Sequence, residues 1–141
     1  MIMTTLSIQS DISLTQANHL IAQGIQIATQ QGLNLSIAVV DRSGHLLAFA
    51  RMDNASLVTI DVAIGKARTA AYLKAPSKLF EDFVNNGAPA MLATPNILPL
   101  QGGIPLLIEN KIIGAVGVSG ASGDVDNHTA ETLANLFQTE Q

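Results

Sequence analysis

Leu35-Ser36-Ile37-Ala38-Val39-Val40-Asp41-Arg42-Ser43-Gly44-His45-Leu46-Leu47-Ala48-Phe49-Ala50-Arg51-Met52 reads as two strands joined by a polar turn. Leu35 to Val40 is rich in β-branched residues, Asp41-Arg42-Ser43-Gly44 has turn composition, and His45 to Met52 returns as a second strand. A second such unit lies near the other end of the chain. Gly102-Gly103 leads into Ile104 to Glu109, and Ile112 to Ser119 returns around Asn110-Lys111. Strands joined by turns this tight are antiparallel, because a parallel pair needs a crossover of a dozen or more residues. The sequence therefore predicts an α+β domain with helices packed on an antiparallel sheet, and excludes a doubly wound βαβ fold.

Outward from the hairpins the pattern turns helical. Ser13-Leu14-Thr15-Gln16 has capping-box form, with Ser at the cap and Gln three residues on. Leu14, Ala17, Ile21, Gly24, Ile25 and Ala28 then recur at helical spacing, and Gly32 is the stop. Residues 1–12 form an N-terminal tail and 13–141 the domain. Leu57 to Lys74 is a second helix with Ile60, Ala63, Ile64, Ala67 and Ala71 on one face, ended by Pro76. That face is small in volume, so another backbone can approach it closely. Ser77 is expected to cap a short helix through Phe83, and Asp124 a last helix through Phe137. Ala88 to Gln101 holds three of the five prolines and reads as a long loop, alone or with one short edge strand.

Composition bounds the function classes. A chain of 141 residues is one ordinary domain. Its charged share of 13% is about half the usual one, which leaves surface for a symmetric partner to cover. A net charge of −4 argues against nucleic acid, which calls for a basic stripe. The absence of cysteine excludes disulfides, thiolate chemistry and Cys-ligated metal. Met1 to Ser13 lacks the pattern of a signal peptide, and no run reaches the roughly 18 apolar residues of a membrane span. The expected location is the cytoplasm.

Several residues could carry chemistry, each beside an ordinary reading. Gly114, Gly117, Gly120 and Gly123 recur every third residue but match neither G-x-G-x-x-G nor a P-loop. Their ordinary role is a strand where backbones crowd; the other is a loop from Ser119 to Asp124 whose amides receive an anion. Gly117-Val118-Ser119-Gly120-Ala121 falls one glycine short of a nucleophile elbow, and Asp126 and His128 follow too closely for a triad. Arg51, Asp53 and Lys66 form either a structural ion pair with a solvated lysine or a cationic pair for a ligand carboxylate. Gly102 and Gly103 would let a ligand reach the backbone amides. Arg51, Asp53, Lys66, Gly102, Gly103 and Ser119 thus make the candidate pocket. No catalytic residue is assigned. Of the histidines, His45 follows the first turn and His128 opens the last helix, whereas His19 lies opposite the apolar face of the first helix.

Ala38 to Asp53, Gly102-Gly103-Ile104-Pro105 and Gly114 to Gly120 together resemble the GlcG/HbpS family, which also supplies the C-terminal domain of PduO proteins. The resemblance runs from Leu14 to about Leu136. It implies a five-stranded antiparallel sheet of profilin- or PAS-like shape and a homo-oligomer, from dimer to octamer. It also implies a ligand-binding protein for haem or a related tetrapyrrole, held non-covalently because no C-x-x-C-H motif exists. His19 is the first candidate for haem iron and His45 the second. The competing function is a small-molecule enzyme or metabolic accessory protein acting on a hydroxy or keto carboxylate through Arg51 and Lys66, with the Gly102-Gly103 amides facing a developing oxyanion.

Overall fold

The strands lie in the order β2-β1-β4-β3, with every neighbouring pair antiparallel. In this computed structural model, which describes residues 4–141, they are β1 (Ser36–Asp41), β2 (Leu46–Arg51), β3 (Gly103–Ile108) and β4 (Lys111–Ser119). The helices are α1 (Leu14–Gln30), α2 (Val58–Leu73), α3 (Lys78–Asn85) and α4 (Gly123–Thr139). The two hairpins meet through β1 and β4, the central strands, and β1 is buried along nearly its whole length. Such a strand loses alternation because it is covered on both faces.

The sheet has four strands, not the five that the family resemblance implied. Pro89, Pro95 and Pro99 stand in the stretch where a further edge strand was allowed, and none of them has an N–H to give a ladder. Instead Pro89–Ala93 makes a 3-10 turn, and the chain runs irregularly to Gly103.

Three layers result. On one face α1 and α4 cover Ile37, Val39, Val116, Val118, Ile104 and Leu106, all buried. On the other, α2 alone lies over Ala38, Val40 and Ala115 through its alanines 63, 67, 70 and 71. The small face of α2 has its reason in the strands beneath it. A Cβ at Gly117 would sit 2.1 Å from the Ala63 carbonyl oxygen, and one at Gly103 would sit 2.0 Å from that of Lys66. Helix backbone rests on strand backbone.

The capping box of Ser13 and Gln16 forms, with reciprocal bonds of 3.1 and 3.0 Å. The buried face of α1 is Ala17, Leu20, Ile21, Gly24 and Ala28, while Leu14 stays exposed at the first turn. Ile12, last residue of the expected tail, donates its N–H to the Ile113 carbonyl and is buried. Two caps differ from expectation. Ser77 makes no capping bond to α3, because its hydroxyl is turned into the interior. The cap of α4 is Ser122, which accepts from the Val125 N–H, and Asp124 bonds Gln101 instead. The second hairpin turns on Glu109 and Asn110, at φ of 50° and 63°, the left-handed pair of a type I′ turn.

Candidate functional site

Lys66 lies on the face of α2 that carries Ala63 and Ala70, three residues before it and four after, so helical geometry sends it inward. Its side chain is 4% exposed and its Nζ donates to Asp126 Oδ2 at 3.0 Å and to the Val118 carbonyl at 2.9 Å. Asp126 is equally buried in the first turn of α4, where the helix dipole favours a carboxylate. Its Oδ1 accepts the Ala121 N–H at 2.9 Å. The lysine is therefore an internal cation held by α4, not a solvated one. The spacing of Asp126 to Ala130, Leu133 and Phe137 puts it on the buried stripe of α4, a sequence signal for a buried partner that the spacing of Lys66 alone does not supply.

The glycine pair packs around this lysine. Gly102 adopts φ +121°, and a Cβ there would stand 2.8 Å from the Val118 oxygen and 3.0 Å from Lys66 Nζ. The Gly103 N–H is taken by Ser77 Oγ at 2.9 Å, and the same hydroxyl donates to the Leu100 carbonyl at 2.7 Å. Ser77 is wholly buried and closes the chain segment 94–103 onto the sheet. Lys66, Gly102, Gly103 and the end of β4 at Ser119 thus form one neighbourhood.

Arg51 and Asp53 stand outside it. Arg51 pairs with Ser36, which pairs in turn with Ser119, so β1 and β4 lie between Arg51 and β3. At about 4.8 Å per strand, Arg51 is roughly 10 Å from Ser119 and farther from Gly103. Both Arg51 and Asp53 are exposed, and neither belongs to an ion pair among the described residues. Ser119 is 6% exposed, and the Asp126 carboxylate near it is already occupied by Lys66 and Ala121.

The histidines are dispersed over α1, the first turn and α4. The His45 side chain is 79% exposed, with Nδ1 3.8 Å from Asp41 Oδ2. His19 projects from the outer face of α1 with its side chain 60% exposed. Its Nε2 lies 3.2 Å from Glu140 Oε2, and Gln23 Nε2 donates to the other carboxylate oxygen at 2.8 Å. A carboxylate in this position takes one imidazole N–H and leaves the second nitrogen as a lone-pair donor. Thr15 and Ala22, one turn before and one turn after His19, are exposed on the same outer side of α1.

A family model described as "Haem degrading protein HbpS-like" matches residues 12–135. Protein GlcG of Escherichia coli strain K12 is 42% identical over 108 residues, which span 77% of this chain and 81% of GlcG. Klebsiella pneumoniae protein ORFY superposes with a TM-score of 0.90 at 29% identity, covering 97% of both chains. PduOC, solved as a complex with haem, superposes with a TM-score of 0.80 at 26% identity, over 89% of this chain and 94% of PduOC. The family model spans most of the domain and the 42% identity to GlcG covers more than two thirds of both chains, so the chain belongs to the HbpS-like family.

Proposed function

We propose that this protein is a homo-oligomeric, cytoplasmic ligand-binding protein that takes haem or a related tetrapyrrole non-covalently, with His19 as the iron ligand. The observation that carries the reading is the His19 imidazole, outward on α1 and oriented by Glu140. In a chain without cysteine, imidazole is the strong neutral donor for iron. The short side chains of Thr15 and Ala22 on either side of it leave room for a flat macrocycle against the helix. His19 would hold the iron of bound haem through its free imidazole nitrogen, and PduOC, a protein of the same fold, was solved as a haem complex. An exposed ligand suits pickup and transfer at an outer or intersubunit face. Exposed Leu57 and Val58 at the start of α2, and Leu92 in the turn after α3, are surface that further copies would cover.

Titration of the purified protein with haemin tests this. The wild type should give a saturable Soret band; His19→Ala should weaken binding and shift the band without loss of fold, and His45→Ala should change neither. An unchanged spectrum and affinity in His19→Ala removes that residue from the proposal. Failure of the wild type to bind haemin beyond the level of an unrelated protein favours the small-molecule reading through Arg51 and Lys66. That reading has less support, since Lys66 Nζ already serves two internal acceptors and the Gly103 N–H already serves Ser77. Light scattering at micromolar concentration tests assembly, and a monomeric mass rejects it.

A further inference from the structure

At the end of the sheet away from Lys66 and Ser119, a cleft of about 230 Å³ opens between the first hairpin turn, the second hairpin turn and the C-terminus of α2. Three of the seven basic residues of the chain line it: Arg42, Lys74 and Lys111. None of the three belongs to an ion pair among the described residues, and no acidic residue lines the cleft. Two of the adjacent acids accept backbone N–H groups of the first hairpin turn. Asp11 Oδ1 accepts the Arg42 backbone N–H at 2.8 Å, and Asp41 Oδ1 accepts those of Ser43 and His45. Glu109 and Asp11 line a neighbouring cleft, which Lys111 also borders.

The Arg42 guanidinium is the directional group among these three cations. Its Nε is buried and has no hydrogen-bond partner within the protein. A buried N–H with no acceptor is costly, and one on a permanently charged group more so. An oxyanion seated on the outer guanidinium nitrogens, which make no hydrogen bond among the described residues, would offset the mutual repulsion of three cations, while Nε stays closed to it. Turns fix the backbone at both lysines: Lys74 sits in a left-handed cap at φ 53°, and Lys111 follows the type I′ turn at Asn110. The cleft is smaller than the roughly 300–1,000 Å³ of sites for drug-sized ligands, which points to a small group.

We infer that this cleft binds a small, doubly charged oxyanion, a phosphate group or a dicarboxylate, with the Arg42 fork as the directional contact and Lys74 and Lys111 as point charges. This site is separate from His19 and does not depend on haem binding. Calorimetric titration at low ionic strength with inorganic phosphate and, separately, with malonate decides it. At least one should bind saturably with one-to-one stoichiometry and a dissociation constant of about a millimolar or tighter. Binding of phosphate alone identifies a phosphate group, and of malonate alone a dicarboxylate. Arg42→Gln should weaken binding by roughly tenfold or more, the scale of a lost charge-assisted hydrogen bond. Lys74→Gln and Lys111→Gln, both at exposed positions, should each weaken it several-fold. Arg51→Gln, an unpaired cation elsewhere on the sheet, should change nothing. Saturable binding of neither anion, or an equal loss in Arg51→Gln, overturns the assignment.

Discussion

Removing one member of the buried Lys66–Asp126 pair should damage the protein far more than removing both. The charges are 3.0 Å apart and their side chains are 4% and 3% exposed. At an effective dielectric constant of about 20 their attraction is roughly 5–6 kcal/mol, set against the desolvation of two ions. Lys66→Met leaves a buried carboxylate with only the Ala121 N–H, and Asp126→Asn leaves a buried ammonium with only the Val118 carbonyl. Each should lower unfolding free energy by about 3–5 kcal/mol, a large part of the 5–15 kcal/mol typical of a domain. In the double variant no buried charge is left alone, and the side-chain amide introduced at position 126 can still accept from Ala121. Its cost should be about 1–3 kcal/mol, that of polar groups left short of a partner. Urea denaturation at one fixed protein concentration measures this, through midpoints compared at unchanged slope. The double variant should therefore be more stable than either single one. If the single losses add to the double loss within about 0.5 kcal/mol, the two residues are energetically independent and the argument fails.

Gly103→Ala should be poorly tolerated, since its Cβ would lie 2.0 Å from the Lys66 oxygen and 2.5 Å from the Lys66 carbonyl carbon; a loss of about 1–3 kcal/mol or more is expected, and an unchanged urea midpoint would show that α2 yields easily. Ser77→Ala removes the acceptor of the Gly103 N–H and the donor to the Leu100 carbonyl in a wholly buried place. It should cost about 1–3 kcal/mol and speed proteolysis of the segment 94–103; equal protease sensitivity with the wild type would separate Ser77 from that segment. Ser122→Ala should cost about 1 kcal/mol by uncapping α4, whereas Asp124→Ala should cost less; the reverse order in thermal melts would contradict the observed cap.

The local parts of the fold were legible because their signals are local. Both hairpins, the capping box at Ser13 and the small face of α2 follow from spacing over a few residues. The two misplaced caps share a cause. Ser77 and Asp124 are good caps by type, yet a tertiary partner claimed each side chain: the Gly103 and Leu100 backbone for one, Gln101 for the other. The Lys66–Asp126 pair joins positions 60 residues apart, and only the sheet order decides that they meet. The helical phase of each makes it inward-facing, a signal that the reading of Lys66 as a solvated or ligand-binding lysine leaves unused. The candidate pocket divided for the same reason: Arg51 and Gly103 end strands at the same end of the sheet but on its opposite edges. The His19 orientation was readable from phase alone, while Glu140, more than a hundred residues away, was not.

The direct seating of α2 on Gly103 and Gly117 has mechanical consequences. Helices cushioned by long side chains shear past their neighbours as those side chains change rotamer. Between α2 and these two glycines there is no such cushion, so the helix and strands β3 and β4 must tilt together or not at all. Lys66 and Lys74 are eight residues apart, about 12 Å along the helix axis, and the slab holds them at a fixed spacing. Whatever give the domain needs to admit a ligand is left to the parts that do not share this seat: the two hairpin turns and the proline-rich segment from Thr94 to Gln101.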